Sequence, residues 1–94
     1  MFIVRIEHPV PDFATWKRVF DRDPLGREGA GVRRYRVLRP VDDSHFVFVD
    51  LEFEARAEAE RMRRALETMW GDVEGTLIGH PKAALVEVFE EKEY

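Results

Sequence analysis

The chain has no cysteine, no asparagine and no long apolar run. Without cysteine, disulfides and thiolate chemistry are excluded, and a cytoplasmic location is favoured. No apolar stretch approaches the ~20 residues that a membrane-spanning helix needs, so we expect no membrane partner. The net charge of −4 indicates that nucleic acids are not partners, since polyanions are bound by basic surfaces.

The overall amino-acid composition is typical of a folded protein. Of the 94 residues, 45% are hydrophobic and 36% are charged, which is typical of a globular chain and not of a disordered one. This length suits one hydrophobic core. We therefore expect a single domain over residues 1–94.

The chain opens with a strand followed by a helix. Residues Phe2 to His8 alternate between two faces, which predicts a strand that Pro9 and Pro11 end. Asp12 can cap the next helix through its carboxylate, and we expect this helix to reach about Asp21. The side chains expected to pack this helix on the sheet, at helical spacing, are Phe13, Trp16 and Phe20.

The rest of the chain predicts a hairpin, a second helix and a last strand. These elements are strand two from about Val32 to Arg39, strand three from Phe46 to Phe53, helix two from roughly Ala55 to Trp70, and strand four from Ala83 to Glu90. We expect Gly71 to end helix two, and Gly75 and Gly79 to loosen the connection that follows.

This order of elements predicts an α+β fold. Strand–helix–strand–strand–helix–strand is the ferredoxin-like arrangement, with a four-stranded antiparallel sheet, strands one and three at its centre, and both helices on one face. The side chains expected to face the helices are Val4, Ile6, Val47, Val49, Leu51, Phe53, Ala84, Val86 and Val88.

The opposite face of the sheet mixes apolar and charged side chains. The predicted members are Ile3, Arg5, Glu7, Phe46, Phe48, Asp50, Glu52, Leu85, Glu87 and Phe89. Strand two adds either Arg34 and Arg36 or Tyr35 and Val37, and we favour the arginines. A face left exposed to bulk water does not usually carry so many apolar side chains, and a face buried in a dry core does not usually carry so many charges unless they are paired. We therefore predict a homodimer through this face.

A set of short segments carries a resemblance: His8 to Phe13, Trp16-Lys17, Phe20-Asp21, Gly31, Arg39, Asp42-Asp43, Glu52 and the alanine-rich start of helix two. Together they resemble the dimeric α+β barrel superfamily of small antibiotic-biosynthesis-monooxygenase-like and polyketide-cyclase-like proteins. The resemblance implies that two ferredoxin-like subunits pack sheet to sheet into a barrel. It also implies binding of a small aromatic or polyketide-like molecule, and cofactor-independent monooxygenase or cyclase-type activity. Some oxygenases of this superfamily use an asparagine, and that residue has no counterpart in this chain, which contains no asparagine.

Candidate functional residues lie at the end of strand one and on the mixed face. His8 has the pKa range of a general acid or base, although it could instead bond a loop carbonyl. The candidate ligand-binding residues are Arg34, Arg36, Phe48, Asp50, Glu52 and Glu87. The charged members could bind a carboxylate or enolate, or they could neutralise one another across a dimer. The three histidines are too scattered for a metal site, and we expect neither a metal nor another cofactor.

Two other functions remain open. The chain could be a ligand-binding or structural dimer without turnover. Alternatively, His45 to Leu51 is similar to the aromatic strand of an RNA-recognition motif, and several arginines precede it. The carboxylates of Asp50, Glu52 and Glu87 would repel phosphates, so we do not favour nucleic-acid binding.

Overall fold

A computed structural model describes residues 1–73 and 80–94 of the chain; Gly75 and Gly79, and our expectation for them, lie outside these ranges. The elements are β1 (Phe2–Pro9), α1 (Phe13–Asp21), β2 (Arg34–Leu38), β3 (Phe46–Phe53), α2 (Arg56–Val73) and β4 (Lys82–Glu87). Their order and the antiparallel sheet confirm the predicted ferredoxin-like α+β fold.

The sheet has the strand order β2-β3-β1-β4. The two central strands pair along their full lengths, with Phe2 opposite Phe53 and Pro9 opposite Phe46. In each strand, successive side chains point to opposite faces, so this long register decides which face every central side chain occupies. The even-numbered residues of β1 therefore share a face with the odd-numbered residues of β3.

The face of the sheet under the helices carries the hydrophobic core. Its buried strand residues are Val4, Ile6, Val47, Val49, Leu51 and Phe53, as predicted. Helix α2 covers them with Ala59, Met62, Leu66 and Trp70, which recur at helical spacing. Helix α1 begins after Asp12, whose carboxylate accepts a hydrogen bond from the Ala14 amide at 3.3 Å.

The aromatic stripe of α1 packs as expected. Trp16 is buried, and its ring centroid lies 5.6 Å from that of Phe13 and 5.1 Å from that of Phe20. Such offset and tilted ring pairs add to the free energy of simple area burial. The stripe therefore holds α1 on the sheet.

Helix α2 is longer than predicted, since it continues through Gly71 to Val73. A helical glycine costs about 1 kcal/mol relative to alanine, which does not by itself end a helix whose preceding turns are packed. Gly71 is exposed, and no heavy atom lies within 4 Å of the place where its Cβ would be. Packing of Leu66 and Trp70 overrides this local penalty.

Strand β4 has the opposite side-chain orientation from the one predicted. Ala84 lies opposite Arg5 and Val86 lies opposite Ile3, so both belong to the face away from the helices. Ala83 and Leu85 instead pack against the core. The predicted placements of Ala84 and Val86 under the helices, and of Leu85 and Glu87 on the other face, are therefore wrong.

The physical reason is that the two faces of β4, a strand at the edge of the sheet, do not differ in polarity. Residues Ala83 to Val86 are all small or apolar, so the alternation of side chains along the strand does not indicate which of them face the helices. Its register against β1 decides the matter, with Glu87 opposite Phe2. The strand also ends at Glu87, before Val88 and Phe89, and the Val88 amide donates a hydrogen bond to the Met1 carbonyl at 3.0 Å.

Gly31 is the glycine on which the loop before β2 depends most. Its φ is +105°, and a Cβ there would lie 2.5 Å from Oε2 of Glu58. We expect Gly31→Ala to lower the free energy of unfolding by about 2 kcal/mol, because alanine rarely adopts a φ of +105°, whereas the flexible Glu58 side chain can move away from the new Cβ. Gly26→Ala is the matched control, because its φ of +60° lies in the left-handed region that L-residues can enter and nothing lies within 4 Å. Denaturant unfolding should show the smaller loss for Gly26→Ala, and equal losses would contradict this backbone argument.

Candidate functional site

The face of the sheet away from the helices, called the open face here, is organised in rows across the strands. Arg34 lies opposite Glu52, and Arg36 lies opposite Asp50. Strand β2 therefore presents its two arginines to the open face, as we favoured, while Tyr35 and Val37 turn towards the helices. Asp50 also lies opposite Arg5 in β1.

The central row of the open face, Arg36–Asp50–Arg5, is an ion-paired network that we call the charged row. Nε and Nη2 of Arg5 each donate to one oxygen of the Asp50 carboxylate at 2.9 Å. Nη2 of Arg36 lies 3.4 Å from the same carboxylate. The Asp50 side chain is only 7% exposed, whereas that of Arg5 is 53% exposed. The buried carboxylate is thus held by two arginines whose outer edges reach solvent.

The electrostatics of the charged row favour the ionised state of Asp50. The hydrogen bonds from Arg5 hold the pKa of the Asp50 carboxyl below its usual range, against the opposing effect of burial. The charges of Arg5 and Arg36 add to this effect. Asp50 is therefore a structural anion at neutral pH and is not available as a proton donor.

The next row pairs Arg34 with Glu52. Nε of Arg34 lies 3.1 Å from one carboxylate oxygen, and Nη2 donates to the other at 3.3 Å. Four predicted ligand-binding residues, Arg34, Arg36, Asp50 and Glu52, thus neutralise one another within a single chain. Their role in ligand binding stays a prediction.

Phe48 joins these charges on the open face, and Glu87 does not. The Phe48 ring is half-buried and packs edge to face against Phe46, with centroids 5.1 Å apart. Leu38 lies opposite Phe48 in β2. Glu87 lies opposite Phe2, and both side chains point to the face of the sheet that the helices cover. The structure therefore separates Glu87 from the other ligand-binding candidates.

A cavity of about 190 Å³ lies on the other side of the sheet, between the strands and the two helices. Its described lining consists of Ile6, His8, Trp16, Val19, Phe20, Asp23, Pro24, Leu25, Arg27, Val49, Leu51, Met62, Leu66, Met69 and Trp70. Apolar and aromatic side chains form most of this wall. Such a cavity with a few polar groups is the usual form of a small-molecule site.

His8 is the candidate that the structure brings to this cavity. It points to the helix side of β1, is 3% exposed, and lies edge-on to Trp16 with ring centroids 5.8 Å apart. Its Nδ1 lies 3.0 Å from the carbonyl oxygen of Pro9, the last residue of β1, so the contact is with the end of the strand and not with a loop carbonyl. Among the described residues, Nε2 has no hydrogen-bond partner.

The environment of His8 keeps its imidazole neutral. Burial lowers the pKa of His8, because the charged form loses its hydration, and the contact with the Pro9 carbonyl opposes this only in part. A neutral ring that donates from Nδ1 presents a lone pair at Nε2. The arrangement can therefore accept a proton or a hydrogen bond from a ligand.

Arg27, which the sequence did not indicate as a site residue, supplies the cationic group in the cavity wall. Its guanidinium carbon lies 3.8 Å from the ring centroid of Phe20 and 4.9 Å from that of Tyr35. Nη1 donates to the Phe20 carbonyl at 3.0 Å, and Nε lies 3.5 Å from Asp23 Oδ1. Asp23 has a φ of +53° and accepts the Arg27 amide at 2.9 Å, which fixes this loop. A loop residue of this kind has no periodic pattern by which it could have been found.

Other candidate chemistry is sparse in the residues that the structure describes. No cluster of three histidine, cysteine, aspartate or glutamate side chains among them could hold a metal ion. His45 and His80 are exposed, as expected. Nδ1 of His45 lies 3.1 Å from the Pro11 carbonyl. Within the same ranges, no helix combines the length and apolarity required to span a bilayer.

Solved structures with the same fold include several small proteins of similar length. One is provisionally named an antibiotic biosynthesis monooxygenase, from Nitrosomonas europaea, with 13% identity, a TM-score of 0.70, and coverage of 94% of this chain and 89% of that one. A protein from Pseudomonas aeruginosa has 15% identity and a TM-score of 0.68, covering 95% and 94%. A dimeric ferredoxin-like protein from an uncultured marine organism has 8% identity and a TM-score of 0.69, covering both chains fully.

At these identities the likeness shows the fold, and at that level it confirms the resemblance found in the sequence. The chain has the fold of the dimeric ferredoxin-like and antibiotic-biosynthesis-monooxygenase-like proteins. No family model and no curated protein matches it.

The buried state of His8 predicts how stability depends on pH. Because its folded pKa is lowered, the unfolded chain takes up the proton first, near pH 6.5, so stability is full above about pH 6.5 and falls as the pH drops towards the folded pKa. Asp50 also has a lowered pKa, but its contribution is lost only at lower pH, below its usual range.

Thermal melts between about pH 7 and pH 5 measure this effect. We expect the melting temperature of the wild-type protein to fall across this window, and His8→Gln to flatten the profile. His45→Gln, at an exposed histidine, is the control and should keep the wild-type slope. An unchanged slope in His8→Gln would show that another group carries the dependence.

Proposed function

We propose that this protein is a homodimer that binds a small aromatic molecule in the cavity between the sheet and the helices. The observation that carries the proposal is the cavity itself, about 190 Å³ in volume and walled mainly by apolar and aromatic side chains. The ionisable side chains of the described lining are His8, Asp23 and Arg27, of which His8 and Arg27 can orient a ligand.

The volume of the cavity narrows the class of ligand. An engineered cavity of about 150 Å³ in another protein binds benzene, so about 190 Å³ accommodates one substituted ring. A polyketide of several fused rings would require the walls to move. The ligand that we propose is therefore single-ring, which is narrower than the aromatic or polyketide-like class expected from the sequence.

His8 gives this ligand a preferred substituent. A phenolic hydroxyl can donate to Nε2, the imidazole nitrogen that lacks a partner among the described residues. The same geometry allows His8 to act as a general base, since removal of the phenolic proton leaves an electron-rich phenolate. This is the chemistry that a cofactor-independent monooxygenase or cyclase would require, and it extends the binding proposal to turnover.

Binding of single-ring compounds tests the proposal directly. Phenol and toluene should produce saturable chemical-shift changes in the cavity residues, while anthracene should produce none. Val19→Phe places a ring into the cavity wall and should abolish the shifts with the melting temperature retained. Ala14→Val, on an exposed position of the same helix, should bind like the wild-type protein. Absence of binding by both phenol and toluene would refute a ligand site in this cavity.

The open face supports the dimer part of the proposal. Leu38 is 41% exposed there beside the half-buried rings of Phe46 and Phe48. Arg5, Arg36 and Asp50, and likewise Arg34 and Glu52, are already ion-paired within the chain, so covering these five residues buries no uncompensated charge among them. Two solved proteins with this fold are described as dimeric. A second copy of the chain is therefore the cover that we propose.

Light scattering coupled to size-exclusion chromatography measures this association. We expect the wild-type mass to be twice that of the chain. Leu38→Glu should shift the protein towards monomer by placing an unpaired charge in the interface, whereas Val41→Glu, at a position 99% exposed in the loop after β2, should not. A wild-type monomer, or equal effects of both substitutions, would contradict an open-face dimer.

A further inference from the structure

The guanidinium of Arg27 stands at the boundary between the deep cavity and the surface. Its side chain is 15% exposed. Arg27 and Asp23 line the cavity and also a second, more open recess, to which Arg33 and Arg34 contribute. Arg27 is therefore the one cationic side chain in the described lining of the cavity. Because it also lines the outer recess, it lies where the cavity and the recess adjoin.

The surroundings of Arg27 hold the group in place without using all of its donors. Stacking against Phe20, with support from Tyr35, fixes the position of the guanidinium. Nη1 is bound by the Phe20 carbonyl, and Nε makes a long 3.5 Å ion pair with Asp23. Nη2 has no partner among the described residues. An immobilised arginine with donor capacity left is suited to receive an anionic oxygen.

We infer that the ligand of this cavity is a single-ring aromatic carboxylate whose carboxylate group is bound by Arg27. This inference rests on the proposed function, since it names the class of molecule that the same cavity takes. A planar carboxylate matches the planar guanidinium edge. The apolar walls then receive the ring, and the carboxylate of the ligand shares Arg27 with Asp23.

Asp23 limits how tightly such a ligand binds. Its carboxylate competes for Arg27 through the 3.5 Å contact, and it repels an incoming carboxylate. The same side chain accepts the Arg27 amide, a bond that an asparagine oxygen can also accept. Asparagine also tolerates the left-handed conformation found at Asp23, where φ is +53°. Asp23→Asn therefore removes the charge with the loop preserved.

The experiment compares benzoate with toluene, which have the same ring but differ in charge, by NMR titration at neutral pH. We expect benzoate to bind the wild-type protein more tightly than toluene. Arg27→Met, which keeps an unbranched side chain against Phe20, should weaken benzoate about tenfold or more and change toluene by less than about twofold. Asp23→Asn should tighten benzoate and leave toluene unchanged. Arg18→Met, an exposed arginine of α1, is the control and should change neither.

Each outcome decides a different point. If toluene binds and benzoate binds no more tightly, or if Arg27→Met weakens both ligands equally, the carboxylate inference is overturned and the aromatic cavity stands. If neither ring binds while the protein remains folded by its melting temperature, the proposed ligand site fails and the inference fails with it. Weaker benzoate binding by Asp23→Asn would also overturn the inference, because Asp23 would then be a supporting group and not a competitor.

Discussion

The register between β1 and β3 is the constraint on which the rest of this structure depends. Eight consecutive residue pairs join the two central strands, from Phe2 opposite Phe53 to Pro9 opposite Phe46. A shift by one residue would turn one of the two strands over relative to the other. With β1 turned over, Arg5 would lie under the helices, where its charge would lack water, and His8 would turn away from the cavity. One pairing thus sets the core, the charged row and the wall of the cavity together.

The central part of the fold could be predicted from the sequence because its strands alternate strongly. Val47, Val49 and Leu51 alternate with Phe48 and Asp50, and the opposite orientation would place Asp50 in the apolar core without Arg5 and Arg36 to pair with it. Strand β4 lacks this contrast at Ala83 to Val86, so its orientation was predicted wrongly and follows only from its pairing with β1. The low helix propensity of glycine likewise fails to predict the end of α2 at Gly71, because tertiary packing of the preceding turns extends the helix to Val73.

The residues of the candidate site also include some that the sequence could predict and some that it could not. His8 could be found because it lies in a regular strand and carries a group with suitable chemistry. Arg27 could not, since it belongs to a loop without a periodic pattern, and its importance comes from three side-chain contacts: the rings of Phe20 and Tyr35 and the carboxylate of Asp23. A cavity is also a property of packing between elements, and no single segment encodes it. The sequence therefore predicted the open face correctly in the two central strands and wrongly in β4, and it did not identify the residues that line the cavity, apart from His8.

The two faces of the sheet are suited to different tasks because their charges are compensated differently. On the open face, Asp50 is shared by Arg5 and Arg36, and a ligand anion there would have to displace an existing carboxylate. These ion-paired side chains could be covered by another subunit without separating Asp50 from its two arginines. On the helix side, Arg27 keeps only a 3.5 Å contact with Asp23, and His8 is neutral with Nε2 without a described partner. Incomplete pairing in an apolar wall favours an incoming polar group, and this difference is the reason for which we propose binding on the helix side of the sheet.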